Sequence, residues 1–278
     1  MTKAMTFEEV TPDEVERLML SDKWAAETKL DGVRCVVEIT DGTATLMNRN
    51  GKPLAAASTN AHRPAIKKAL ESAFHEGQWI VDGEIMDNGR YWLFDVIHAD
   101  TMHDHRAPLH ERRETLEAMT TLFGWDADDS LIRVVTQAVD AQDKQMLLDS
   151  VGRIGGEGIM LKHVDAPYAI GKRVRTGLKL KLTKTVDCFV TERNSDDHEN
   201  AHLAVFDDAG EQIDIGKCSM IGKADAQIGD VIEVKFLYVG ANGRLYQPRM
   251  LRIRDDKLAH ECLYSQLDGC HVNKAVAA

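Results

Sequence analysis

Between residues 24 and 97 the chain is punctuated by reversal signals at a spacing that only short strands can use, and this constrains its architecture more than any other feature. Asp41-Gly42 and Asn50-Gly51 bracket Thr43-Ala44-Thr45-Leu46-Met47, and Asp87-Asn88-Gly89 separates Trp79–Met86 from Tyr91–Ile97. Such Asx-Gly pairs supply the positive φ that tight hairpins need, so the runs on either side read as antiparallel strands. Asp31-Gly32 lies between Trp24-Ala25-Ala26 and Cys35-Val36-Val37-Glu38-Ile39. The same logic predicts a reversal there and makes residues 24 to 54 an antiparallel meander.

Helical patterns interrupt the strands. Thr11-Pro12-Asp13-Glu14 is a capping box with proline at the first helical position, and Val15, Leu18 and Met19 form the apolar face behind it. Further helices are predicted over residues 64–74, 109–122 and 142–153, with a strand over 131–139 between the last two. Gly155-Gly156 ends the last helix and introduces a strand over 158–162. The sum is an α+β domain, an antiparallel sheet with covering helices. After Lys184 the texture changes to five short β runs, over 187–192, 202–206, 212–216, 231–239 and 249–254. These suit a small barrel of the oligonucleotide-binding (OB) type. The expected division is therefore residues 1–184 and 185–278, with a tail that frays beyond about residue 266.

Composition excludes several classes. No apolar run approaches the ~20 residues needed to cross a bilayer, and the first residues lack the apolar core of a secretory signal, so a cytoplasmic protein with no membrane partner is expected. The 5 cysteines are scattered without a Cys-x-x-Cys pair, which suggests neither a disulfide framework nor a zinc site. His98, His103, His105 and His110, with Asp100 and Asp104, form a loose cluster that reads as a polar loop before a helix rather than a metal site. No heptad repeat suggests self-association, so a monomer is expected. The net charge of −11 argues against a nucleic-acid partner. The bases nevertheless cluster, at Lys172 to Lys184 and at Arg244 to Lys257, while acids concentrate at Glu8 to Asp22, Asp126 to Asp129 and Asp196 to Asp208. A basic channel on an acidic body, binding weakly and salt-sensitively, accommodates both observations.

Lys29-Leu30-Asp31-Gly32-Val33-Arg34 is the segment richest in chemistry. It sets a lysine at a strand end beside an acid, a glycine and an arginine. A lysine amine attacks phosphorus only when unprotonated, and a free lysine keeps its proton to about pH 10.4, so nearby cations such as Arg34, Lys179, Lys181 and a divalent metal are needed to lower that value. Glu27, two residues earlier, lies on the same side of the strand by the period of two. Lys179 and Lys181 alternate with Leu178, Leu180 and Leu182, so both amines project from one face.

Further stretches follow in order: Asn48-Arg49-Asn50, Asp82-Gly83-Glu84, Leu93-Phe94-Asp95, Glu157-Gly158-Ile159-Met160-Leu161-Lys162, Leu178-Lys179-Leu180-Lys181 and Arg252-Ile253-Arg254-Asp255-Asp256-Lys257. With Glu27 and Lys29 to Arg34, this ordered set resembles the ATP-dependent DNA ligases, members of the covalent nucleotidyltransferases, in a minimal two-domain form of the kind suited to a virus or an accessory bacterial enzyme. The resemblance implies a nucleotidyltransferase (adenylation) domain followed by an OB-fold barrel. It also implies three steps: capture of AMP by Lys29 with release of pyrophosphate, transfer of AMP to a 5′-phosphate, and attack by a 3′-hydroxyl with release of AMP. The implied cofactors are ATP and Mg2+ or Mn2+, and the implied partner is nicked double-stranded DNA.

The resemblance also distributes roles. Glu27 meets the adenine amino group, Phe94 stacks on the base, and Met160 floors its other side. Arg34 and Glu84 hold the ribose. Lys179 and Lys181 reach the α-phosphate, and Glu157 is the metal-binding carboxylate. Asp31 serves the later, DNA-dependent steps, and Arg49 grips phosphate near the nick. Arg254, Asp256 and Lys257 orient the pyrophosphate leaving group, a role that requires a hinge near Lys184. One departure stands out: family members commonly carry an aromatic residue just before the Leu-Lys-Leu-Lys run, where this chain has Gly177. An inserted loop over residues 194–200 is a candidate DNA grip. The rival readings are an RNA ligase or an mRNA-capping guanylyltransferase of the same superfamily, and a non-catalytic OB module. NAD as AMP donor is disfavoured by the missing zinc-binding cysteines of that branch.

Overall fold

The computed structural model describes residues 1–54, 62–100, 102–194, 199–220 and 226–271. By its contacts the chain divides into two compact units, Met1–Asp149 with Gly158–Leu180, and Ser150–Glu157 with Lys181–Ala278. Up to the start of the second unit's main body the elements are β1 (Thr6–Glu9), α1 (Pro12–Met19), β2 (Trp24–Thr28), β3 (Val33–Thr40), β4 (Thr43–Met47), α2 (Arg63–Ala73), β5 (Gln78–Ile85), β6 (Tyr91–Ala99), α3 (Leu109–Phe123), β7 (Ile132–Val134), β8 (Gln137–Ala138), α4 (Ala141–Arg153), β9 (Gly158–His163) and β10 (Arg173–Lys181). The strands form two sheets, ordered β4-β3-β5-β6-β7 and β1-β10-β9-β2-β8.

The first of these sheets grows from hairpins. Asp41 and Gly42 both have positive φ, 46° and 75°, which matches the right-handed strand twist across the β3–β4 turn. Its inner face buries Val37, Ile39, Val81 and Leu93 against Ile66 and Leu70 of α2 and Leu116 and Met119 of α3. Each such side chain contributes roughly 1.5–3 kcal/mol of burial free energy.

The second sheet corrects the expected meander. β2 pairs with β8 and β9, whereas β3 pairs with β4 and β5, so Lys29–Arg34 is a crossover between sheets and not a hairpin turn. Gly32 is needed there for close approach rather than for a reversal: a Cβ on it would lie 2.5 Å from the Ile85 carbonyl oxygen. The strand expected over 131–139 divides for the same reason. β7 pairs with β6 in one sheet and β8 with β2 in the other, while the intervening Val135 donates its N–H to Leu93 at 2.9 Å. β1, which sequence reading did not anticipate, runs parallel to β10. Lys144 of α4 is fully buried and donates to the carbonyls of Ser21 at 2.8 Å and Trp24 at 3.0 Å, tying that helix to the chain between α1 and β2.

The second unit continues with β11 (Lys184–Asn194), β12 (Asn200–Phe206), β13 (Gln212–Ser219), β14 (Val231–Phe236) and β15 (Arg249–Ile253). They close into a barrel in the order β11-β12-β13-β15-β14. Val186, Cys188, Val190, Leu203, Val205, Ile215, Ile232, Val234 and Met250 fill it. The tail is anchored as far as it is described. Leu267 is buried, Val239 donates its N–H to Cys270 at 2.8 Å, and Lys184 Nζ donates to the Gly269 carbonyl at 3.0 Å. All five cysteines are free and buried. Among the described residues no helix is long and apolar enough to cross a membrane.

Candidate functional site

Sheet register assembles one polar face. In the β2–β9 ladder Glu27 lies opposite Met160, and in the β2–β8 ladder it lies opposite Gln137. Directly opposed residues share a face, and Lys162 joins them by being two residues beyond Met160. Glu27 is 1% exposed, yet its carboxylate accepts from Gln137 Nε2 at 2.8 Å and pairs with Lys162 Nζ at 2.5 Å. Lys29 extends the ladder one step past β2, its N–H donating to Gly158 at 2.9 Å, so it keeps the period-of-two relation to Glu27. Asp31 follows it in the crossover, half-buried.

The other sheet supplies a second set. Arg34 and Glu84 are register partners on β3 and β5. The Arg34 guanidinium forms a fork with Asp82, Nε to Oδ1 at 2.7 Å and Nη2 to Oδ2 at 2.6 Å, and the Tyr168 hydroxyl donates to Asp82 Oδ2 at 2.5 Å. Burial pushes the Glu84 carboxyl up to about 7, although the charges of Arg34 and Lys29 pull the other way. Phe94 owes its position to a β-bulge: Asp82 opposes Asp95 and Gly83 opposes Leu93, which leaves Phe94 as the extra residue. Arg34 Cζ and Lys162 Nζ lie 4.5 and 4.9 Å from its ring centroid.

Asp82 and Asp95 face each other across the ladder, both buried, and each has its own arginine. Arg112 of α3 holds Asp95 with Nε to Oδ1 at 2.7 Å and Nη2 to Oδ2 at 3.1 Å. Burial raises the Asp95 carboxyl, and the Arg112 guanidinium outweighs that and leaves it below the usual carboxylate value. Asp82, Lys162, Gln137, Tyr168 and Arg112 were all assigned no role from sequence. Only the register and the distances reveal them, although the period of two already aligned Lys162 with Met160.

Of the remaining expected residues, Glu157 is buried with Lys181 Nζ 3.9 Å from its Oε1. Lys179 pairs in register with Glu9 of β1 and accepts the Val10 N–H at 3.1 Å. The missing aromatic at Gly177 has a physical substitute. A Cβ there would fall 2.2 Å from Phe7 Cε1, so the Phe7 ring of β1 fills the space a side chain at 177 would occupy. Arg49 is exposed, and its carbonyl accepts the Ala4 N–H at 3.0 Å.

In the barrel, the closing motif converges on Asp187, a residue without a sequence signal. Arg254 Nη1 donates to both Asp187 oxygens at 2.9 and 3.0 Å, and Lys257 Nζ donates to Oδ2 at 2.8 Å. Arg254 also grips Asp256, Nε to Oδ1 at 2.7 Å, and that hydrogen bond holds the Asp256 carboxyl down at about 2.

Several bases in the two basic stretches are matched by acids: Arg175 pairs with Glu8 and Glu14, Arg244 with Asp214, and Arg252 with Glu233. His103 bonds Thr115 at 3.0 Å, and among the described residues no group of three or more His, Cys, Asp or Glu is placed to hold a metal. The tip of the candidate DNA-gripping loop, residues 195–198, lies outside the described residues.

A family model for the ATP-dependent DNA ligase domain matches residues 4–89 and 87–181. The chain belongs to that family. The DNA ligase of Methanosphaera stadtmanae is 27% identical over 213 residues, which cover 66% of this chain and 37% of that protein. The DNA ligase of Methanothermobacter thermautotrophicus is 27% identical over 267 residues, 84% of this chain and 44% of that protein. The chain thus spans less than half the length of these relatives. A solved structure of a Lig E DNA ligase superposes with a TM-score of 0.62 at 19% identity, covering 91% of this chain and all of that one, which establishes likeness of fold.

Proposed function

We propose that this chain is an ATP-dependent DNA ligase that seals nicks in duplex DNA through a lysyl-AMP intermediate. The observation that carries the reading is the placement of Lys29 at the end of β2, in step with Glu27, while its charge and that of Arg34 both act on Glu84. A strand end beside a set of buried polar groups can present an amine to a nucleotide. Family membership supports the same chemistry.

In this reading residues 1–184 are the adenylation domain and residues 185–278 an OB-fold domain. Glu27, Phe94 and Met160 receive the adenine, Arg34 and Glu84 the ribose, and Lys179 and Lys181 the α-phosphate. Lys29 gives up a proton, its nitrogen bonds to the α-phosphorus, and the bond to pyrophosphate breaks. AMP then passes to the 5′-phosphate of the nick, and the 3′-hydroxyl displaces it. Arg254, Asp256 and Lys257 orient pyrophosphate in the first step, and Asp31 and Arg49 serve the steps on DNA. The buried carboxylate of Glu157 would hold a magnesium ion together with the substrate phosphates, and such an ion would neutralise charge building on the phosphate. The working form is a monomer.

The test is direct. The protein is incubated with magnesium and ATP labelled at the α-phosphate, denatured, and assayed for retained label, with nicked DNA and nicked RNA then offered as substrates. Label from ATP that is absent in Lys29→Ala, with sealing of DNA, is the expected result. An unlabelled wild-type protein sinks the proposal.

A further inference from the structure

Lys162 is 6% exposed, which is unusual for a lysine, and the scheme above gives it no task. Its ammonium has three partners: Glu27 Oε2 at 2.5 Å, the Phe94 carbonyl at 3.3 Å, and the face of the Phe94 ring at 4.9 Å from the centroid. It therefore bridges the two sheets at the residues assigned to the purine. On its other oxygen Glu27 accepts the Gln137 amide at 2.8 Å. With both oxygens facing donors, Glu27 is fixed as a carboxylate that can only accept.

We propose that Lys162 is a positioning residue that makes this site select a 6-amino purine, by holding Glu27 as an acceptor-only carboxylate with Gln137 as its second clamp. The inference rests on the adenylation reading above. Adenine turns a donor N–H toward such a carboxylate. Hypoxanthine and guanine turn a carbonyl oxygen, and two acceptors face to face repel. Without the cation, Glu27 Oε2 loses its donor, and the buried carboxylate is no longer held by two clamps in the orientation that accepts from a 6-amino group. The geometry thus couples base choice to a residue that need not touch the base.

The experiment compares labelling rates with ATP and with inosine triphosphate, each carrying label at the α-phosphate. Wild-type protein is expected to favour ATP by about tenfold or more, the scale of a charge-assisted hydrogen bond. Lys162→Met should cut that ratio by about tenfold, while Lys162→Arg, which restores the cation, should keep it within about threefold. An unchanged ratio in Lys162→Met overturns the inference.

Lys162→Met strands a buried charge, so its fold is checked by circular dichroism, and a second pair covers its failure. Glu27→Gln strands the Lys162 ammonium in turn and is also checked by circular dichroism, whereas the double variant Glu27→Gln/Lys162→Met removes both buried charges together. If Lys162 acts through Glu27, the double variant has the same ratio as Glu27→Gln. A further drop as large as that expected of Lys162→Met alone overturns the proposal. Absence of label on wild-type protein with ATP is a separate outcome, which overturns the adenylation reading and this inference with it.

Discussion

The two units differ in how deeply their best-buried ion pairs lie. In the first, the ion pairs Arg112–Asp95 and Lys162–Glu27 have side-chain exposures of 2%/3% and 7%/2% and cross between elements that meet only in the folded core. In the barrel, Arg244–Asp214 is open to water, Arg252–Glu233 is open on its arginine side, and the closing motif gathers on a half-buried Asp187. Buried pairs cost desolvation and repay it only with complete partners, whereas exposed pairs contribute little to stability. In the first unit the buried pairs, Lys162–Glu27 among them, are part of what holds the fold. In the barrel the charged motif lies outside the apolar core.

The comparison can be broken most severely at Lys29. Lys29→Ala should abolish labelling by ATP, a loss on the order of a thousandfold or more, while leaving the urea-unfolding midpoint nearly unchanged, since the side chain is half-buried and at a strand end. A matching fall in midpoint would mean that Lys29 too is structural. Asp95→Ala is the counterpart on the stability side. It strands the Arg112 guanidinium and is expected to cost about 3–5 kcal/mol in denaturant unfolding.

Asp187→Ala tests the barrel. If the motif is separable from the fold, labelling by ATP falls on the order of a hundredfold through misplaced Arg254 and Lys257. The melting temperature then stays close to wild type, and sealing of a nick already carrying AMP survives. A large drop in melting temperature would erase the contrast. Gly177→Ala is expected to cost about 1–3 kcal/mol, because the new methyl meets the Phe7 ring. Phe7→Ala combined with Gly177→Trp should regain stability relative to either change alone if the aromatic has moved from one strand to its neighbour.

The smallest effect concerns pH. The Glu84 carboxyl, raised to about 7 in the folded protein against an ordinary value of 4.5, binds its proton more tightly when folded. Its contribution to stability is therefore fully present below pH 4.5 and is lost as pH rises through 7. Unfolding free energies measured across that window should decline in wild type and lose part of the decline in Glu84→Gln. Identical slopes would count against the burial of this carboxyl.

How much of this could be read beforehand depended on sequence distance. Asp41-Gly42 specifies its hairpin locally, and the five barrel runs were recognisable because each is short and set off by turn residues. Asp31-Gly32 carries the same dipeptide signal and means something else, because the Ile85 carbonyl, brought from β5, decides what Gly32 is for. Likewise the motif residues could be named by type, since lysine, glutamate and arginine state their chemistry. Lys162, Gln137 and Asp187 could not, because their roles exist only through partners fixed by register and by tertiary packing.

The order β1-β10-β9-β2-β8 has a consequence for how the molecule comes into being. Thr6 pairs with Arg173, and β2 has β8 and β9 as its flanking neighbours. The strand that ends beside Lys29 is thus synthesised early but has no partner until much later stretches leave the ribosome. The sheet built from hairpins can form meanwhile, and the barrel can follow by itself. Pairing of the strand beside Lys29 therefore depends on contacts distant in sequence, the kind that slow folding.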